Sequence, residues 1–229
     1  MFAKRSKDKE LMDLGQYTSE EYAQCLKILF IINKFLGIFH DTVSILKPFP
    51  KDASLVDVGC GGGLFLINLK AYYPQMHMVG LDVSEQAIQL AQDELHNSQH
   101  KNSIEFHLQK QAELALDQQS VDIVLVTLVC HHLDDEELIV FLQTAHKAAR
   151  KAVIINDLHR HRLAYWLYGL VSPILFGNRL ITHDGLLSIK KSFTRKELQS
   201  VLQQAQINNY KIKWRFPFRW SVLILTNNG

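Results

Sequence analysis

Short apolar runs alternate along this chain with longer amphipathic stretches. Leu55–Val58 is a run of strand formers that meets four glycines in five residues, Gly59, Gly61, Gly62 and Gly63, and then the periodic apolar positions Leu64, Phe65, Ile67 and Leu69. That order predicts strand, tight turn and helix. His77–Asp82 predicts a second strand, with Ser84 as N-cap of the helix after it. Ile104–Leu108 alternates like a third strand. Val121–Leu128 is a fourth, apolar enough to be buried on both faces of a parallel sheet. Leu138–Ala149 predicts a helix and Lys151–Ile155 a fifth strand. Lys211–Phe216 and Arg219–Thr226 flank Pro217-Phe218 and predict a hairpin that closes the sheet.

The ends carry patterns of their own. Thr18 followed by Glu21 fits a capping box. An apolar helix then runs through Leu26, Leu29, Phe30, Asn33, Gly37 and Ile38 toward His40, and a second segment, Thr42–Leu46, stops at Lys47-Pro-Phe-Pro50. Asn33 is the sole uncharged polar side chain between Ile28 and Phe39, so it either faces a ligand or is satisfied within its helix. Leu163–Ile181 approaches the length of a membrane span. Arg162 and Arg179 bracket it, and Gly169 and Pro173 interrupt it, so a buried or substrate-covering helical insertion is expected instead. His183-Asp184-Gly185 predicts a turn, and Thr194 with Glu197 a second capping box opening a helix to about Ala205. The organisation expected is a helical cap over residues 1–50 and one domain over residues 51–229, with the insertion at residues 160–185.

Composition narrows the class. Of 229 residues, 47% are apolar and 21% charged, which predicts a packed core, and a net charge of +2 points to no particular partner. Cys25, Cys60 and Cys130 form no metal-binding spacing, and Met1–Glu10 lacks the apolar run of a signal peptide, so a reduced, cytoplasmic setting is expected. The basic segment 190–219 sets Lys190, Lys191, Arg195, Lys196, Lys211, Lys213, Arg215 and Arg219 against Glu197, interleaved with Trp214, Phe216, Phe218 and Trp220. Such a stretch suits nucleic acid or an anionic membrane surface. The favoured reading is the solvated face of a hairpin with its aromatics inward. Neither nucleic acid nor a transmembrane span is therefore expected, and peripheral membrane contact stays open.

The glycine turn carries the chemistry. Glycine there admits positive φ and close approach of a ligand, and the turn opens onto a helix N-terminus that favours a negative group. The dinucleotide fingerprint asks for a third glycine where Leu64 stands. The spacing is instead Gly59-x-Gly61-x-Gly63, with Asp57 two residues ahead. This resembles motif I of the class I S-adenosylmethionine methyltransferases and speaks against NAD. The resemblance implies that Gly59, Cys60, Gly61 and Gly63 wrap the methionine part of S-adenosylmethionine, and that Asp57 orients the loop and the ligand's ammonium. Asp82 ends a strand about twenty residues on, where a nucleotide fold places the acid that bonds the ribose hydroxyls. Val83 would then lie against the adenine. Where the family has an acid-Ala pair at the adenine amine, this chain has Gln111-Ala112, followed by Glu113. A Gln carbonyl accepts the same hydrogen bond without the charge. Thr127 and Leu128, at the end of the fourth strand, complete the expected cofactor-binding set.

Val129-Cys-His-His-Leu133 follows, and an apolar strand leading to His-His-Leu and then acids is similar to many small-molecule methyltransferases. Asp134 with Asp135, Glu136 and Glu137 reads as an N-cap and first-turn acids, so no metal site is expected there. His131 or His132 is a candidate general base or substrate-orienting group, beside the equal alternative of a packed histidine. Asp157 and His159, after the fifth strand, are candidates to act on a substrate proton, against plain loop hydrogen bonding. The Asp/Asn-Pro-Pro-Tyr/Phe signature of nucleic-acid amino methylation is absent. Glu10-Leu-Met-Asp13 and Asn156-Asp-Leu-His159, with the apolar insertion, resemble a bacterial subgroup of small-molecule methyltransferases, some of which sit beside polyketide or quinone pathways. The resemblance implies an α/β, Rossmann-like sheet of seven strands, mostly parallel with an antiparallel last strand. It implies methyl transfer from S-adenosylmethionine to a small hydroxylated aromatic, polyketide-like or quinone-like acceptor. The alternatives are an RNA or protein methyltransferase, or a binder of S-adenosylmethionine that does not catalyse.

Overall fold

The computed structural model describes residues 2–101, 103–109 and 114–226. Among these described residues, seven strands form one sheet in the order β3-β2-β1-β4-β5-β7-β6. They are β1 (Ser54–Val58), β2 (His77–Asp82), β3 (Ile104–Leu108), β4 (Val121–Thr127), β5 (Ala149–Leu158), β6 (Tyr210–Arg215) and β7 (Arg219–Leu225). The first five run parallel, and β7 lies antiparallel between β5 and β6. β1 pairs with β2 on one side and β4 on the other, so the winding of the sheet reverses there. In open α/β sheets that reversal leaves a crevice at the strand C-termini, where ligands bind.

The period-2 alternation of β4 builds a core on each face. Val124 and Val126 pack with α5 (Asp135–Ala148) and α8 (Arg195–Gln204). Ile123 and Leu125 pack with α2 (Ile38–Leu46), α3 (Leu64–Tyr72) and α4 (Glu85–His96). Helix starts follow local chemistry: Ser84 Oγ accepts from Ala87 N, and complete capping boxes open α1 (Ser19–Phe35) at Thr18, α5 at Asp134 and α8 at Thr194.

Four expectations need correction. The N-terminal helix does not run on to His40: it stops at Leu36, and Gly37, at φ 82°, turns the chain by 65° into α2. His183–Gly185 is no turn but lies inside α7 (Arg179–Lys191). Gly185 is there for closeness, since a Cβ would sit 2.3 Å from Tyr168 Oη, which donates to Ile181 O. The apolar insertion is not buried as a whole. α6 (Arg162–Phe176) turns one face to α7 and exposes the other, with Trp166, Leu170 and Ile174 at 69, 68 and 79%. The hairpin aromatics do not all point inward: Trp220 is buried, but Trp214 near the end of edge strand β6 and Phe216 just after it are exposed.

Among the described residues no single helix is long and apolar enough to cross a membrane; α1 and α2 pass only as a bent pair. The Gly185 contact is testable. Gly185→Ala should destabilise the protein by about 1–3 kcal/mol, the usual cost of overpacking, and a thermal melt would show it.

Candidate active site

The parallel pairing of β1 with both neighbours brings three strand ends together. Asp57 is buried on β1, opposite Gly80 on β2 and Leu125 on β4. Gly59 and Cys60 both donate to Leu81 O, at 2.8 and 3.0 Å, which folds the glycine turn back against β2. Gly59 has φ 76°, and a Cβ there would lie 2.3 Å from Val129 Cγ2. That contact seats the residues after β4 directly against the loop. Gly63, at φ 73°, opens α3 without a side-chain cap, so the first amides of the helix face the turn. Asp82 ends β2 and binds the loop from the other side: Oδ2 accepts from Gly61 N at 2.8 Å, and Oδ1 from Ser84 N at 2.9 Å.

Two buried polar atoms here have no partner among the described residues, Asp57 Oδ1 and Thr127 Oγ1. Burial, and then the nearby charge of Asp82, push the Asp57 carboxyl up to about 8. A lone buried acceptor of this kind calls for a cationic or hydrogen-donating ligand. Leu26 of α1 covers the cradle: it lies 3.5 Å from where a Cβ of Gly61 would stand.

A second cluster forms where β4 ends. Val129 leads into a 3₁₀ turn, Cys130–His132. His131 is 3% exposed; its Nδ1 lies 2.8 Å from Asp157 Oδ1, and its backbone N–H donates to Asp157 Oδ2 at 3.1 Å. Asp157 Oδ1 also accepts from Leu158 N. With the carboxylate on Nδ1, the lone pair of His131 sits on Nε2, which is buried and has no hydrogen-bond partner among the described residues. It looks toward Glu10 Oε1, 4.0 Å away, while His132 Nε2 lies 3.8 Å from Glu10 Oε2 and His132 Nδ1 lies 3.5 Å from Asp13 Oδ1.

Glu10 comes from the N-terminal segment, which is tied down across the site. Arg5 donates to His131 O, Leu133 O and Lys191 O, pairs with Asp135 and stacks over Phe193. Asp184 accepts from Leu11 N and Met12 N. Ser188 Oγ donates to Glu10 Oε1 at 2.9 Å, and Lys191 Nζ lies 3.7 Å from the same oxygen. Burial pushes the Glu10 carboxyl up, against the pull of His132 and Lys191.

The structure thus brings His131, His132 and Asp157 together. His159 belongs to another neighbourhood: Trp214 Nε1 donates to its Nδ1 at 3.2 Å, and its ring packs on His161 and Trp220. Burial, then His161 and Arg160, lower its pKa. Val83 stands 66% exposed beside Asp82, Cys60 is buried in the loop, and Leu128 takes a left-handed φ of 57°. Gln111, Ala112 and Glu113 lie outside the described residues. Among the described residues, Asn33 Oδ1 is buried without a partner, as is Asn156 Oδ1. Sequence reasoning missed the approach of Glu10 to His131 and His132, and the hold of Ser188 and Lys191 on Glu10. The signal available was Glu10 and Asp13 flanking an apolar pair within a polar tail.

Residues 55–152 match the family model of a methyltransferase domain. No curated protein sequence matches the chain significantly. Among solved structures, a SAM-dependent methyltransferase from Aquifex aeolicus superimposes with a TM-score of 0.59 at 16% identity, over 80% of this chain and 87% of that one. Human N-acetylserotonin methyltransferase in complex with SAM gives 0.69 at 16% identity, over 96% of this chain but only 60% of its own length. Magnesium protoporphyrin IX methyltransferase of Synechocystis PCC 6803, with bound SAM, gives 0.58 at 15% identity, over 84 and 80%. The glycine turn, the strand-end acids and the buried Asp57 all lie within the residues that match the methyltransferase-domain model, and the solved structures show that the sheet around them has the fold of S-adenosylmethionine-dependent methyltransferases.

Proposed function

We propose that the chain methylates a hydroxyl of a small aromatic, polyketide-like or quinone-like acceptor. The observation that carries this reading is the His131–Asp157 pair facing Glu10, two residues beyond the Val129 contact with the glycine loop. The cofactor supplies an electrophilic methyl group on a sulfonium. The chain's own part is to hold that group, to align the acceptor, which can be worth roughly 7–11 kcal/mol, and to let the acceptor's proton leave. In this reading Asp82 takes the ribose hydroxyls, Asp57 the ammonium, and the uncapped start of α3 the carboxylate. The proton leaves through the Glu10–His131–His132 centre, whose solvent side is His132, 32% exposed. The test is release of S-adenosylhomocysteine from S-adenosylmethionine across a panel of phenols, quinols and their O-methylated counterparts. Turnover confined to free hydroxyls supports the reading; turnover that persists when every hydroxyl is blocked overturns it.

One observation favours a second reading, methylation of RNA: exposed Trp214 and Phe216 stand beside exposed Lys211 and Lys213 on the edge hairpin. Stacking aromatics among cations suit a single strand. A salt titration of RNA binding separates the two, since phosphate contacts give a steep slope.

Cofactor binding should also depend on pH through Asp57. Its folded value of about 8 lies above the ordinary carboxylate range. The folded chain therefore holds a proton that the unfolded chain releases from about pH 4 upward. The contribution is complete below that pH and is lost as pH rises toward 8. An ammonium beside Asp57 favours the carboxylate, so binding should expel the proton, and affinity should climb up to about pH 8. Calorimetry at pH 7 in two buffers of different ionisation enthalpy should find about one proton released, and none in Asp57→Asn.

A further inference from the structure

Glu10, His131 and His132 each offer one ligand atom, and the three atoms lie within 4.8 Å of one another. Each imidazole has a carboxylate at Nδ1, Asp157 at 2.8 Å for His131 and Asp13 at 3.5 Å for His132. Each turns Nε2 to a different oxygen of Glu10. Carboxylate on one nitrogen and ion on the other is the arrangement that fixes the tautomer of metal-ligating histidines, and here it occurs twice around one point. Two acceptors, His131 Nε2 and a Glu10 oxygen, face each other across 4.0 Å, and the former is buried with no hydrogen-bond partner among the described residues. Lys191 Nζ closes the cluster from the far side, 3.4 Å from Asp13 and 3.7 Å from Glu10, while Arg5 is spent on Asp135 and backbone carbonyls.

We propose that Glu10, His131 and His132 hold one divalent transition-metal ion, zinc or cobalt in kind, with an open position for the acceptor hydroxyl. Two imidazoles and a carboxylate form the donor set of open, catalytic zinc sites. Ligands about 2.0–2.2 Å from one ion stand roughly 3.3 Å apart, so the ion draws these atoms in by roughly 1 Å. The role of the ion rests on the reading of the chain as a hydroxyl methyltransferase; the site itself does not. A hydroxyl on such an ion gives up its proton to water near neutral pH. The oxygen keeps the electron pair that bonds the methyl carbon, as the carbon–sulfur bond breaks onto sulfur.

The test uses the whole chain without a histidine tag. It is dialysed against cobalt(II), its metal content is measured, and the visible absorption of the bound ion is recorded, with zinc as competitor. One cobalt per chain is expected, displaced by zinc, with affinity at least tenfold weaker in Glu10→Gln and His132→Gln. Asp157→Asn should weaken it about 10–100-fold. His107→Gln changes a surface pair with Glu105 and should keep the ion. Folded wild type that takes up no cobalt, or uptake unaltered in both ligand variants, overturns the site. A parallel thermal shift with S-adenosylhomocysteine keeps the two ideas apart. A cofactor shift without cobalt uptake sinks the ion alone, and cobalt uptake without a cofactor shift sinks the methyltransferase role and leaves the site.

Discussion

Asp82→Ala should abolish stabilisation by the cofactor product. At one hundred times its dissociation constant, S-adenosylhomocysteine should add about 2.7 kcal/mol to the wild type, roughly 5–10 °C in melting temperature for a chain of this size. Asp82 does two jobs at once. It holds Gly61 N and Ser84 N, fixing both ends of the crevice wall, and in the proposed pose it accepts from the ribose. Burial already pushes its carboxyl up, against the pull of the Ser84, Gly61 and Val83 amides, so its ionised form depends on donors around it. Alanine removes every one of these acceptors. A hundredfold loss of affinity would leave about 0.4 kcal/mol at the same ligand concentration, a shift near the noise of a melt. NAD should do nothing to either protein. A shift retained in the variant would separate Asp82 from the cofactor, and a shift with NAD would overturn the assignment of the loop.

The contrast between the cradle and the acceptor side shows what a sequence can display. Strand, glycine turn and helix are local, so Leu55–Leu69 could be read in order, and Asp82 followed because β2 starts and stops where its own apolar run does. The caps at Thr18, Ser84, Asp134 and Thr194 were legible for the same reason: each lies within three residues of the amide it bonds. Glu10 was not legible as part of a site. It lies 121 residues before His131, and only the anchoring of Arg5 and of the Leu11 and Met12 amides brings it there. His183-Asp184-Gly185 misled because glycine marks turns more often than it makes room. Here the ring of Tyr168 needs the space, and Asp184, inside the helix, is the anchor for the N-terminal segment. His131 and His159 looked alike in sequence, as histidines after strands. Their neighbours separate them: for one a carboxylate, and an Nε2 with no hydrogen-bond partner among the described residues; for the other, tryptophans.

Asp157→Asn should lower methyl transfer by about 10²–10⁴-fold, the usual worth of a positioned acid–base group, and leave binding of S-adenosylhomocysteine unchanged. Both carboxylate oxygens face donors: Oδ2 takes His131 N–H, and Oδ1 takes Leu158 N–H and His131 Nδ1–H. An asparagine must therefore turn its NH₂ against one set. If it faces the backbone N–H of His131, two donors oppose each other in a buried site, at a cost of about 1–3 kcal/mol. If it faces the ring, Nδ1 becomes the acceptor and the proton moves to Nε2, pointing at Glu10. The lone pair that could take a proton or bind an ion is then gone. Nitrogen NMR of the His131 imidazole distinguishes the tautomers directly, and the cofactor shift reports whether the cradle is intact. Full activity with an Nε2-protonated ring would remove His131 from the chemistry. Activity lost together with cofactor binding would make Asp157 a structural support of the β5 end and nothing more.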